Sequence, residues 1–275
     1  MHFFRSWLCA PALGPNLVQK AHEVHADVAL FDLEDSIPAA RKDAARIALG
    51  RHFEAPMGLR SAVRINSLAT YEGLKDLLFL LDRAVVPDIL VLPKALLPGE
   101  PTLASSLFAE RGLRSPEIFC IIETAHSLWS LRTLGSFPGA VGGLIFGAAD
   151  FAADLGVELM SADLRLVRQE IALAARRLGV AAIDSPCFQL RNALRLRREA
   201  RKARRLGFDG KIAVYPAQVP LINESFTHSA QTLDRARRMV ESFDSNPGSA
   251  ILQLDGTMVG PPFIKYARRI LSTDG

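Results

Sequence analysis

Two acids in this chain stand just beyond apolar runs that read as buried strands, a placement suited to holding a hard cation. In Leu144-Ile145-Phe146-Gly147-Ala148-Ala149-Asp150 the first three residues are strand-like. Gly147 then permits a turn that a side chain would obstruct, and Asp150 arrives where a helix begins. Ile118-Phe119-Cys120-Ile121-Ile122-Glu123 repeats the pattern, with Thr124 able to cap the helix that follows. Ligands of β/α proteins sit at the carboxyl ends of strands. Magnesium usually takes one or two protein carboxylates and leaves its other positions to water and substrate. A lone acid at such a junction is more often a helix cap; two in succession favour a metal, the more so with Asp32, Glu34 and Asp35 after another strand. Arg64 and Lys94 also follow apolar strands. An arginine there can hold a carboxylate in two parallel hydrogen bonds while a metal chelates the substrate's other oxygens. Backbone N–H groups at Gly147, Ala148 and Ala149, entering a helix, can hold the same anion.

The elements that must position these groups alternate along the chain. Strands are expected at 7–10, 28–33, 62–65, 89–92, 118–122, 144–146, 180–183 and 211–214. Helices are expected at 16–25, 38–50, 70–82, 102–111, between the two acid-tipped strands, and at 162–178 and 189–206. Arg41, Lys42 and Arg46 fall on the polar face of the second of these. Eight β/α units in a chain of 275 residues predict an α/β fold, a (β/α)8 TIM barrel. All the polar strand-end residues then form one ring around one mouth. The barrel is expected over 1–228, with a C-terminal extension over 229–275. The extension contains a helix at 231–243, an extended stretch at 250–254 and a last segment at 261–271. Pro261-Pro262 suits an extended arm packing on a neighbouring subunit.

Composition narrows the classes. Half the residues are hydrophobic (49%), yet no run of eighteen apolar residues occurs, so no membrane helix is expected. The N-terminus lacks a secretory h-region, and Cys9, Cys120 and Cys187 are odd in number and widely spaced. Reduced thiols in a cytoplasmic protein are the simplest reading. A net charge of +4 suits anionic substrates. The segment 191–205 carries eight basic residues and one acid, Glu199. Its apolar positions still leave one buried face and no aromatics interleave, so a solvated outer helix is favoured over nucleic-acid or CoA-phosphate binding. His22 and His25 have no third metal ligand nearby, and no G-x-S-x-G elbow surrounds Ser6 or Ser185.

Taken in order, Arg5-Ser6-Trp7-Leu8, Leu33-Glu34-Asp35-Ser36, Arg64-Ile65-Asn66, Pro93-Lys94, Ile122-Glu123-Thr124-Ala125 and Gly147-Ala148-Ala149-Asp150 resemble the blocks of the HpcH/HpaI aldolase and citrate lyase beta-subunit family. Gly207-Phe208-Asp209-Gly210-Lys211, Pro216-Ala217-Gln218 and Asp255-Gly256-Thr257-Met258 continue the resemblance nearly to the end. It implies a TIM barrel with one Mg2+ held by Glu123 and Asp150. It further implies that Arg64 binds the substrate carboxylate, and that Glu34 and Asp35 organise water around the metal. The implied enzyme is a lyase making or breaking a carbon–carbon bond in a small oxo or hydroxy acid, often as its CoA thioester. The implied assembly is a homotrimer or hexamer. The chain departs from the pattern at Gly260, where CoA-dependent lyases of the family carry an acid–base Asp, and also at Tyr215, Gln189, Asn192 and Pro11-Ala12. Gly260 keeps three other readings open: a CoA-independent aldolase on a free 2-oxo acid, an acyl-CoA thioesterase, and a non-catalytic protein that binds metal and oxo acid.

Overall fold

Eight short runs rich in apolar and small residues form parallel strands: β1 (Ser6–Pro11), β2 (Val28–Asp32), β3 (Arg60–Arg64), β4 (Ile89–Leu92), β5 (Glu117–Ile122), β6 (Val141–Phe146), β7 (Ala181–Asp184) and β8 (Gly210–Ala213). The computed structural model describes residues 5–136, 141–246 and 251–272. Each strand pairs with the next, and β1 closes on β8 with Ser6 opposite Lys211 and Leu8 opposite Ala213. The fold is a (β/α)8 barrel, as the alternation predicts. Around it lie α1 (Leu17–Glu23), α2 (Lys42–His52), α3 (Tyr71–Asp82), α4 (Gly99–Glu110), α5 (Ala125–Thr133), α6 (Ala148–Asp154), α7 (Arg165–Leu178), α8 (Ala193–Leu206) and α9 (Val219–Phe226).

Because side chains alternate across a strand, every second residue points inward and fills the barrel. Trp7, Leu30, Val91, Phe119, Ile121, Ile145, Ile183 and Ile212 form this plug, all of them buried. The rings of Trp7 and Phe119 lie 5.0 Å apart at their centroids. Gly143 makes room for Phe119: a Cβ there would lie 2.0 Å from the ring. The plug seals the barrel below the strand ends, so a ligand can enter only at the rim.

Helix boundaries follow local chemistry. Thr70 caps α3 by accepting from the Gly73 N–H at 3.1 Å. Thr124 and Ser127 cap α5 reciprocally, the capping role expected of Thr124. Helix α4 starts at Gly99, three residues earlier than expected. Pro101 occupies its first turn, where a missing N–H forfeits no intrahelical bond. Helix α8 starts at Ala193 instead of 189, because the Asn192 side chain accepts from the Arg195 N–H (3.0 Å) and so ends the loop. Arg46 is not on a solvated face. It is buried and pairs with Asp43, Glu72 and Asp76, joining α2 to α3.

The chain divides into two compact units, the barrel within residues 4–225 and a smaller unit within residues 226–275. The smaller unit contains α10 (Ala230–Asp244), an antiparallel pair β9 (Leu252–Leu254) and β10 (Thr257–Val259), and α11 (Pro261–Leu271). Ala236, Met239, Val259, Ile264, Ala267 and Ile270 form its own apolar core. The expectation of an extended arm at Pro261-Pro262 is therefore corrected. Both prolines stand in the first turn of a helix, where their fixed φ is pre-set and no N–H is needed. Gly260 caps α11 at φ −130° and ψ −173°, extended backbone open to any residue. Residue 250 of the expected extended stretch lies outside the described residues. Among the described residues no helix is long and apolar enough to cross a membrane, and all three cysteines are free thiols.

Candidate metal and carboxylate site at the barrel mouth

The strand ends bring most of the expected residues to one place. Asp35, Arg64, Glu123, Gly147, Ala148, Ala149 and Asp150 line a single cavity of about 200 Å³, floored by Leu30, Val91, Ile121, Ile145 and Ile212. Glu34 and Lys94 join it through their ion pairs.

Lys94 is the hub. Its backbone is left-handed (φ 50°), which costs a non-glycine residue about 1 kcal/mol or more and is held by its surroundings. In that conformation its N–H donates to Glu123 Oε1 at 2.7 Å. Its ammonium donates to Glu34 Oε1 at 2.9 Å and lies 3.8 Å from Asp150 Oδ1. Two carboxylates thus share one flexible monocation, and a third accepts from the backbone N–H of the same residue. Burial, then the charges of Glu34 and Asp150, push the Glu123 carboxyl up to about 8 despite the nearby ammonium. Burial raises Glu34 as well, with Asp35 adding to it against Arg64 and Lys94. Gly147 lets this cluster form: a Cβ there would stand 2.5 Å from the Glu123 Cβ and 2.6 Å from its Oε2.

Arg64 is where the sequence places it, but one edge of its guanidinium is occupied. Nε and Nη2 donate to Asp32 Oδ1 and Oδ2 at 2.7 and 2.6 Å. Burial opposes the Asp32 charge, yet these bonds, with the N–H groups of Ser36 and Glu34, hold its carboxyl below the usual value. The other edge of Arg64 faces outward, with Nη1 3.0 Å from Glu34 Oε2 and 3.6 Å from Asp35 Oδ2. Glu34 Oε2 nevertheless makes no hydrogen bond, although it is buried. Asp35 is the most exposed of the set. The anion cradle needs one correction. The Gly147 N–H donates to the Ile122 carbonyl (3.0 Å), so of the three expected donors Ala148 and Ala149 remain, in the first turn of α6.

Lys42 reads as solvated in the sequence, as a lysine on a polar helix face does, yet it is a structural part of the site. Its ammonium donates to the Leu33 carbonyl, the Glu34 carbonyl and Asn66 Oδ1, each at 2.7 Å. Asn66 in turn donates to Asp76 Oδ2 (2.6 Å), and Asp76 accepts from Arg46 (2.6 Å). This chain of bonds fixes the loop carrying Glu34 to the end of β3. Lys42→Met is expected to destabilise the barrel by about 2–3 kcal/mol, since one hydrogen bond to a charged group contributes about 1.5–3 kcal/mol. Urea unfolding measures it, and a change below about 0.5 kcal/mol would mean that the loop holds itself. Cys9 lines the cavity but stays a thiol, since burial and the Asp32 charge push it up to about 12.

The donor set suits a hard dication. Buried Glu34 Oε2 makes no hydrogen bond, Glu123 resists ionising without more positive charge, and the carboxylates of the mouth are hard oxygen donors. No three His, Cys, Asp or Glu groups among the described residues form a ready cage. Two carboxylates with open positions is the arrangement magnesium commonly uses.

Known proteins share this framework. A citrate lyase subunit beta-like protein of Deinococcus radiodurans is 31% identical over 98% of this chain and 96% of its own. Human mitochondrial citramalyl-CoA lyase is 27% identical over 98% of this chain and 84% of its own. The crystal structure of CitE from Mycobacterium tuberculosis, in complex with magnesium, acetoacetate and coenzyme A, is 30% identical with a TM-score of 0.79, covering 98% of this chain and 97% of that one. The family model of HpcH/HpaI aldolase/citrate lyase matches residues 5–216, from the first barrel strand through the eighth. With its closed barrel and the acids at its mouth, the chain belongs to the HpcH/HpaI aldolase/citrate lyase family.

Proposed function

We propose that the barrel mouth is the active site of a Mg2+-dependent carbon–carbon lyase acting on a small 2-oxo or hydroxy acid, free or as its CoA thioester. The observation that carries this reading is the gathering of three carboxylates on Lys94, Glu34 and Asp150 at its ammonium and Glu123 at its backbone N–H, with buried Glu34 Oε2 making no hydrogen bond. The magnesium and acetoacetate bound to the M. tuberculosis relative, and the citramalyl-CoA lyase activity named for the human one, support it.

Glu123 and Asp150 would hold the ion, with Glu34 and Asp35 directing water around it. When bound, Mg2+ supplies Lewis-acid stabilisation of the negative charge that develops on an oxygen beside the breaking bond. The outward edge of Arg64 takes the substrate carboxylate, and its inner edge, gripped by Asp32, keeps the guanidinium plane fixed. Ala148 and Ala149 line the same cavity, and their N–H groups would bind the same anion. The apolar floor keeps water from below the reacting carbon.

The test is an assay of malyl-, citramalyl- and citryl-CoA against free oxaloacetate and 4-hydroxy-2-oxo acids, with Mg2+ and with a chelator. Chelator-sensitive cleavage of at least one substrate is expected. Ligand binding without turnover on any would replace the lyase with a binding protein. Gly260 favours cleavage of a free acid as the second reading, because glycine cannot move a proton. CoA-ester cleavage should then lack the roughly 10²–10⁴-fold that a positioned acid or base contributes. Gly260→Asp, on extended backbone, is expected to raise turnover of malyl- or citramalyl-CoA. Robust wild-type turnover of either ester, unchanged in the variant, would mean that another group moves the proton.

A further inference from the structure

The mouth is chemically two-sided. The ends of β2 to β6 carry the acids and both cations of the site described above. The rest of the same cavity comes from β7, β8 and β1. Pro186 and Phe188 follow β7, Ile212 and Val214 stand at the end of β8, and Cys9 lies on β1. Because β8 pairs with both β7 and β1, these residues form one continuous arc. Among the described residues lining the cavity, the arc contributes no charge.

Side-chain alternation keeps charge out of it. Ile183 and Ile212 face the plug, so their neighbours Asp184 and Lys211 turn to the helix layer and pair there at 2.7 Å. Arg168, behind the Phe146 ring, is spent on Asp184 (2.9 Å) and Ser185 Oγ (3.2 Å). Backbone polar groups of the arc are taken as well. Buried Gln218 accepts from the Val214 N–H (3.0 Å) and donates to the Cys187 carbonyl (3.1 Å). The Cys9 thiol packs against the plug and stays protonated.

The first carboxylate of a substrate takes the outward edge of Arg64. A second has nowhere comparable to go. On the charged side Asp32, Glu34, Asp35, Glu123 and Asp150 outnumber Arg64 and Lys94 so far that a bound dication leaves them in excess. On the arc a carboxylate would lose hydration without gaining a partner. The cavity, about 200 Å³, is also smaller than the roughly 300–1,000 Å³ of drug-sized sites, which leaves room for a short chain.

We infer that the mouth selects acids with one carboxylate at the reacting centre and a short, uncharged alkyl group beside it, received by Cys9, Ile212, Val214 and Phe188. Dicarboxylates are rejected. The inference rests on the proposed metal and carboxylate site and adds to it the side chain of the acid.

The test uses 2-oxobutyrate and oxaloacetate, which share a carbon count and differ by a methyl against a carboxylate. Calorimetry on the full chain in excess Mg2+ is expected to find 2-oxobutyrate at least about tenfold tighter, the lower end of what one carbon in an apolar pocket contributes. Phe188 is half-exposed, so Phe188→Arg should fold, and it supplies the arc with a cation. That variant is expected to raise oxaloacetate affinity relative to 2-oxobutyrate at least about tenfold, as a charge that gains a partner should. Oxaloacetate binding as tightly as 2-oxobutyrate in the wild type overturns the inference, and so does a ratio that Phe188→Arg leaves unchanged. Equal binding of the two acids would leave the mouth reading standing, whereas binding of neither would remove both.

Discussion

Glu123→Ala is expected to weaken Mg2+ binding more than about 100-fold, since even outer-shell partners of a metal ligand are worth about 10–100-fold. Metal-dependent binding of an oxo acid should disappear with it. Glu123 is the buried member of the pair, whereas Asp150 lies half-exposed at the rim. Asp150→Ala should therefore have the smaller effect of the two. The barrel should stay folded. The Lys94 N–H loses its acceptor, at about 1–3 kcal/mol, but crowding among three carboxylates is relieved. Titration calorimetry with Mg2+ decides the matter, and unchanged affinity in both variants would remove the ion from this site.

The second large effect concerns stability. Lys211 is wholly buried between β7 and β8, where its ammonium donates to Asp184 Oδ2 (2.7 Å) and the Ser185 carbonyl (2.6 Å). Arg168 reaches the other oxygen of Asp184. Asp184→Asn keeps the volume but leaves the ammonium, among the described residues, with only Glu199, 3.7 Å away, as a counter-charge. Breaking one side of a buried pair typically costs about 3–5 kcal/mol, and a loss of that size is expected in urea unfolding. Asp184→Asn/Lys211→Met should recover at least half of it, because a neutral pair needs no compensation. A loss below about 1 kcal/mol would show that water reaches the pair. Acid has a related effect. Burial opposes the Asp184 charge, but Lys211 and Arg168 prevail and hold its carboxyl below the usual value. Its contribution is present above the unfolded pKa of about 3.9 and disappears as the pH falls through the lower folded value. Asp184→Asn should therefore flatten the acid limb of the stability curve.

What the sequence carried was periodicity and placement. Eight apolar runs with polar residues at one end specify the barrel, and the same register places Glu123, Asp150, Arg64 and Lys94 at its mouth. What it did not carry was the partner of each polar group. Arg64 reads as a free fork, yet Asp32, thirty-two residues earlier, occupies its inner edge. Lys42 and Arg46 read as solvated because their acceptors lie on another helix and on strand-end carbonyls. Periodicity places the start of α8 at 189, whereas a side-chain cap at Asn192 sets it at Ala193. Pro261-Pro262 suits an extended arm, but the same fixed φ suits the first turn of a helix, and here one begins.

Closing the sheet by pairing Ser6 with Lys211 also sets a timetable. A ribosome adds about 5–20 residues per second, so β8 leaves it roughly 10–40 s after β1. During that interval every partial product has an open strand edge at β1 and another at its newest strand, both ready to pair with another chain. The acids and cations of the mouth, carried by β2 through β6, are all synthesised well before the cylinder can shut. The nascent chain therefore presents its chemistry on an unfinished curved sheet, and its survival in the cell depends on what shields those two edges until the last strand arrives.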